Sequence, residues 1–170
     1  LKPSWRNELE ITDALDMLLN EKHVITYKMI TDYWKDTGTP EDIINANKTI
    51  LENIIPKFKG KKDSTTIIEG KVSIGNETCI GDHVKIKGPV IIGSKCKISG
   101  NTTIGPNTSI GNECIISGGI IRDSIIMNNC EIEKNVNLRN SIISSNSSIK
   151  QNKIENEQIL LLGEGTRILL

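Results

Sequence analysis

Isoleucine recurs at every sixth position through the middle of the chain, at 68, 74, 80, 86, 92, 98, 104, 110 and 116. Four residues after each of the first eight stand Val72, Thr78, Val84, Val90, Cys96, Thr102, Thr108 and Cys114, all small or β-branched. Such side chains suit extended backbone beside a narrow core. Two residues after the Ile come Gly70, Asn76, Asp82, Gly88, Ser94, Gly100, Pro106, Asn112 and Gly118, every one a turn former. A helix repeats at 3.6 and a flat strand at 2, so neither explains one apolar residue in six. The pattern predicts a short strand, a corner and another short strand, repeated around a prism. Three hexads close one coil, and coils stack at about 4.8 Å.

The register then changes. Arg122-Asp123-Ser124-Ile125-Ile126 returns 17 residues later as Arg139-Asn140-Ser141-Ile142-Ile143, and Ile132 maps to Ile149 by the same offset. The solenoid is therefore expected over 67–150, with one residue fewer per coil in its later part. Cys96 and Cys114, 18 apart, fall on one face of adjacent coils, where Cα atoms reach disulfide range. Reduced thiols serving as small core hydrophobes are the favoured reading.

A different pattern governs the first 55 residues. Ile11, Leu15, Leu18 and Leu19 make one apolar face of a helix over 11–20. Residues 24–30 and 33–35 read as short strands. Thr39 offers an N-cap, Pro40 the first helical position and Asp42 the residue three past the cap. Ile43, Asn47, Ile50, Leu51 and Ile54 continue this second helix until Pro56 ends it. Residues 56–66, rich in Lys, read as a charged linker, and 151–170 as a tail.

Composition narrows the function classes. Lys and Arg number 21, as do Asp and Glu, and this balance argues against a nucleic-acid binder. No apolar run reaches the roughly 18 residues of a membrane span, and the start lacks a secretory signal. Four Cys without metal-site spacing fit a cytoplasmic, reducing location.

The hexad stretch resembles the hexapeptide-repeat, left-handed parallel β-helix family, and the hand is implied by that resemblance alone. Lys2-Pro3-Ser4-Trp5-Arg6-Asn7-Glu8-Leu9-Glu10-Ile11-Thr12-Asp13 resembles a motif late in the catalytic domain of sugar-1-phosphate nucleotidyltransferases. Trp34-Lys35-Asp36-Thr37-Gly38-Thr39-Pro40-Glu41-Asp42 resembles a second, in the form seen in glucose-1-phosphate thymidylyltransferases. The doubled Arg-(Asp/Asn)-Ser-Ile-Ile and the final Ile159-Leu160-Leu161-Leu162-Gly163-Glu164-Gly165-Thr166 are similar to the repeats and closing strand of the family's long form. Asn7 departs from the family's usual Gly. The resemblance implies a mainly β chain, a β-helix preceded over 1–55 by the α/β C-terminal piece of a nucleotidyltransferase domain. The family's Gly-rich nucleotide loop, first metal-binding Asp and Glu-Lys-Pro motif would precede Leu1.

The implied reaction joins a sugar 1-phosphate to the α-phosphorus of a nucleoside triphosphate and releases pyrophosphate, dTTP and glucose 1-phosphate giving dTDP-glucose. Asp36 matches the family's second metal carboxylate, expected in a tight Asp-Thr-Gly turn with Mg²⁺ as the ion. Arg6 matches a contact to the sugar phosphate, and Trp34 a residue beside the sugar. The expected partners are those two substrates, together with a second copy of the chain through the β-helix, and neither nucleic acid nor membrane. Two other classes compete. A sugar acyltransferase using acetyl-CoA would need a His base at a coil edge, and only His23 and His83 exist. A non-catalytic oligomerisation module would need only the stacked coils.

Overall fold

The structure, a computed structural model, describes residues 1–133, 136–150 and 159–169. It divides into two compact units, Leu1–Trp34 and Lys35–Leu170. The first carries helix α1, Ile11–Asn20, as the apolar spacing predicts. Residues 24–30 and 33–35, expected as strands, form none. An extended segment needs a ladder partner for its N–H and C=O groups, and the described residues of this unit supply none.

The second unit is a parallel β-solenoid. One face stacks seven strands in parallel, Lys57–Phe58, Val72–Ile74, Val90–Ile92, Thr108–Ile110, Ile125–Ile126, Ile142–Ile143 and Leu161–Leu162. Parts of the segments expected as linker and tail thus join the coils: Lys57–Phe58 pairs with the Val72–Ile74 strand, and Leu161–Leu162 with Ile142–Ile143. Residues 151–158, within the expected tail, lie outside the described residues. Ile80 stands opposite Ile98 and Ile98 opposite Ile116, an 18-residue coil. Ile121 then faces Leu138 and Ile132 faces Ile149, the predicted 17.

Inside runs one continuous core containing Ile74, Ile80, Ile86, Ile92, Ile98, Ile104, Ile110 and Ile116, all essentially inaccessible to water. Ile68, in an early coil, is only partly buried against it. Gly70, Gly100 and Gly118 are themselves left-handed, with φ +76, +65 and +99°, but at most corners the left-handed residue is not the turn former itself. It stands one place later, at Glu77, His83, Lys95, Asn101, Asn107 and Glu113, with φ between +53 and +60°. Only Asn adopts this region readily, so coil closure imposes it on the others. At the corner where strand Ile115–Arg122 bends between faces, Gly119 has φ +97° and an added Cβ would meet the Val136 carbonyl at 2.1 Å. No other residue fits there.

A polar column stacks along one edge of the core. Thr78 Oγ1 donates to the Gly93 carbonyl at 2.7 Å, Cys96 Sγ to Gly111 at 3.0 Å, Cys114 Sγ to Met127 at 3.0 Å, Cys130 Sγ to Ser144 at 3.2 Å and Ser147 Oγ to Gly163 at 3.3 Å. Each hydroxyl or thiol thus satisfies a carbonyl of the following coil. Hydrogen bonding to Cys130 and Cys96, with burial, pushes the Cys114 thiol well above its ordinary value, so it stays protonated. All four cysteines are free, and Cys79 alone is exposed. A maleimide should therefore modify one thiol per native chain and all four after unfolding in guanidinium, counted by intact mass. Modification of two or more in the native state would contradict the buried column.

Helix α2, Pro40–Glu52, packs on the solenoid. Thr39 caps it, its Oγ1 accepting from the Asp42 amide at 3.2 Å. The helix stops four residues before Pro56, and its buried face differs from the expected one. Ile44 and Leu51 are buried while Ile43 and Ile50 are exposed. The winning stripe is Ile44, Asn47, Lys48 and Leu51, because the solenoid offers Asn47 partners. Asn47 Nδ2 donates to the Asn107 carbonyl at 3.4 Å, and Ser109 Oγ donates to Asn47 Oδ1 at 2.6 Å.

Candidate functional site

The predicted site residues fall in both units: Arg6 and Trp34 in the first, Asp36 in the second. Arg6 stands before α1 in a loop closed by the Asn7 amide donating to the Ser4 carbonyl at 2.9 Å. Asn7, where the family has Gly, takes φ +60°, a conformation that Asn tolerates better than most residues and Gly adopts freely. The Arg6 guanidinium grips Glu10, Nη2 reaching Oε1 at 2.8 Å and Oε2 at 2.9 Å, and lies 5.9 Å from the centre of the Trp5 ring. The Arg6 hydrogen bonds, then that from Ser4, hold the Glu10 carboxyl below its usual value. Glu10 carries no role in the sequence reading beyond its place in the motif of residues 2–13. Its four-residue spacing from Arg6 was the available signal for the pairing. A guanidinium fork that binds both oxygens of a carboxylate suits two phosphate oxygens equally well.

Trp34 is exposed, with two-thirds of its surface in water. Asp36 is exposed as well, and the expected tight turn does not form, since residues 33–38 carry no hydrogen-bonded turn. Order at this segment comes instead from the start of α2. Lys35 Nζ lies 2.9 Å from Asp42 Oδ1, and Thr39 Oγ1 donates to Asp42 Oδ2 at 2.6 Å. These two contacts, Thr39 first and then Lys35, lower the Asp42 carboxyl. Asp42 therefore ties the residues on both sides of Asp36 to the helix. A Cβ placed on Gly38 would stand 3.7 Å from Asp36 Oδ1, an ordinary van der Waals contact that a small side chain could make. Among the described residues no group of three or more His, Cys, Asp or Glu could hold a metal ion. Asp36 thus belongs to no such group among the described residues.

His83, the only His in the hexads, is exposed at a corner with φ +53°, its amide donating to Thr65 Oγ1 at 2.9 Å. Among the described residues no helix is long and apolar enough to cross a membrane.

Residues 1–53 match the family model for nucleotidyl transferase, and residues 86–168 match that for the GMPPB C-terminal domain. The chain is 34% identical over 169 residues to a glucose-1-phosphate thymidylyltransferase of Streptomyces antibioticus, covering 99% of this chain and 47% of that protein. It is 42% identical over 74 residues to the low-salt glycan biosynthesis nucleotidyltransferase Agl11 of Haloferax volcanii, covering 44% of this chain and 21% of that one. Among solved structures, a hexapeptide transferase family protein from Anaplasma phagocytophilum is similar over 65% of this chain and 69% of its own, with 22% identity and a TM-score of 0.31. The chain spans about half the length, or less, of these curated relatives. The first likeness takes in both the Arg6 loop and the last coil, so over nearly its whole length the chain is similar to a glucose-1-phosphate thymidylyltransferase, with a nucleotidyl transferase segment at 1–53 followed by a GMPPB C-terminal segment at 86–168.

Proposed function

We propose that the complete protein containing this chain makes dTDP-glucose from dTTP and glucose 1-phosphate. A phosphate oxygen of the sugar attacks the α-phosphorus, the bond to the β-phosphate breaks, and pyrophosphate leaves. The observation that carries this reading is the 34% identity to a glucose-1-phosphate thymidylyltransferase across 99% of the chain, motifs and repeats alike. Phosphoryl transfer of this kind depends on positioning and on neutralising oxyanion charge. Arg6 supplies a fork for the sugar phosphate, exchanging Glu10 for phosphate oxygens. Trp34 offers an open ring face for the sugar. Asp36 supplies one carboxylate toward Mg²⁺, an ion that takes one or two carboxylates and completes its shell with substrate phosphates and water. When bound, that ion would supply positive charge beside the transferring phosphate. The solenoid acts as the scaffold, and its outer faces are the surfaces through which copies of the chain would associate.

The test uses the longest reading frame containing this chain, purified and given dTTP, glucose 1-phosphate and Mg²⁺. Pyrophosphate release matched by a nucleotide sugar of the correct mass is the expected result. Absence of product with any deoxy- or ribonucleoside triphosphate would refute it. Acetyl transfer to an amino-sugar phosphate, lost on His83→Ala, would establish the acyltransferase reading instead.

A further inference from the structure

The doubled Arg-(Asp/Asn)-Ser-Ile-Ile motif differs between its copies at one charged position, Asp123 against Asn140. The two stand at equivalent corners of successive coils, with φ +49° and +48°. Asp123 forms an ion pair with α2, whereas Asn140 lines a cavity beside Pro40, Ile44 and Lys48 of that helix. Asp123 Oδ1 receives Asn107 Nδ2 at 2.9 Å and lies 3.2 Å from Lys48 Nζ, while Oδ2 lies 3.6 Å from Arg139 Nε. The carboxylate side chain is only 13% exposed. Burial alone would raise it, but Asn107, Lys48 and Arg139 together outweigh burial and keep it charged.

Lys48 sits beside Asn47, which is itself held by Asn107 and Ser109. At the far end of α2, Lys71 Nζ donates to the Glu52 carbonyl at 2.6 Å. The helix is therefore pinned at its middle and its C-terminus by named side chains of the solenoid. Its N-terminus carries the Thr39–Asp42–Lys35 cluster that ties down both flanks of residue 36. A helix transmits such pinning along its axis because every peptide group is hydrogen-bonded to the next turn.

We propose that Asp123 is a positioning residue for Asp36. The solenoid sets the height and rotation of α2 through the Asp123–Lys48 contact, and α2 sets where the Asp36 carboxylate stands. This inference rests on the metal-ligating role proposed for Asp36. It gives the β-helix a part in the chemistry beyond that of a scaffold, and it explains why one copy of the repeated motif is charged.

The test uses the complete protein with Asp123→Asn, Asp123→Glu and Lys48→Met. Hydrogen exchange followed by mass spectrometry reads the amides of residues 42–48, with those of 97–104 as the internal standard. In Asp123→Asn and Lys48→Met the α2 amides should exchange at least about tenfold faster while the solenoid amides keep their protection. In the same variants the Mg²⁺ concentration for half-maximal turnover should rise at least about fivefold. Asp123→Glu, which keeps the charge, should recover most of both effects. A contact that merely stabilised the fold would lower the active fraction and leave the Mg²⁺ dependence where it was, and that result overturns the proposal. Unchanged α2 exchange overturns it too, by showing that Asp123 does not pin the helix. Should Asp36→Asn retain full turnover, the proposal falls with the site, and faster exchange would then record docking alone.

Discussion

Asp36→Asn in the complete protein is expected to reduce nucleotide-sugar formation by about tenfold or more, with almost no change in melting temperature. The two outcomes separate because Asp36 is exposed, with no hydrogen bond in the cap that orders its neighbours. The carboxamide has nearly the same shape, so the Thr39–Asp42–Lys35 cluster keeps its geometry, and a surface change of this kind stays within about ±0.5 kcal/mol. What the substitution removes is one negative charge and one of the two oxygens that the proposed Mg²⁺ contact would use. Each 1.36 kcal/mol lost from transition-state stabilisation is about tenfold in rate, and losing an anionic ligand from a charge-neutralising site costs at least that. Raising Mg²⁺ should restore part of the activity if the loss is one of ion affinity. Near-normal turnover at ordinary Mg²⁺ would reduce Asp36 to a loop residue.

Ile104→Ala should produce the largest loss of stability. Ile104 is fully buried, stands between Ile86 of the preceding coil and Ile121 of the following one, and belongs to the continuous core. Removing its three outer carbons leaves a cavity that stacked coils close poorly, because each coil is held by hydrogen bonds to both neighbours. Large-to-Ala changes in such places cost about 2–5 kcal/mol. Lys97→Ala, at an exposed position of strand Lys97–Ile104, should by contrast stay within about ±0.5 kcal/mol. Denaturant midpoints of the two variants, compared at equal slope, check both expectations. Equal midpoints would mean that the Ile rows do not carry the core.

The sequence by itself determined the solenoid, because its period has a single geometric solution. One apolar residue in six, with a small or β-branched residue four later, defines inward positions of short strands, and Ile74 through Ile116 are buried accordingly. The 17-residue return of Arg-x-Ser-Ile-Ile likewise set the later register, seen where Arg122 meets Arg139. The caps of α2 were legible too, since Thr39 and Asp42 act on backbone three residues away. Only the tertiary structure decided which stripe of α2 turns inward, because Ile43 and Ile44 are equally apolar and the choice lies with Ser109 and Asn107, some sixty residues distant. The same holds for the linker, whose Lys57–Phe58 and Lys61–Lys62 become strands through partners at Ser73, Ile74, Cys79 and Ile80 that local composition does not reveal. Residues 24–30 show the converse, strand-forming side chains without a ladder to join. Local patterns fix which backbone shapes a segment can take, whereas pairing over tens of residues decides which one it keeps.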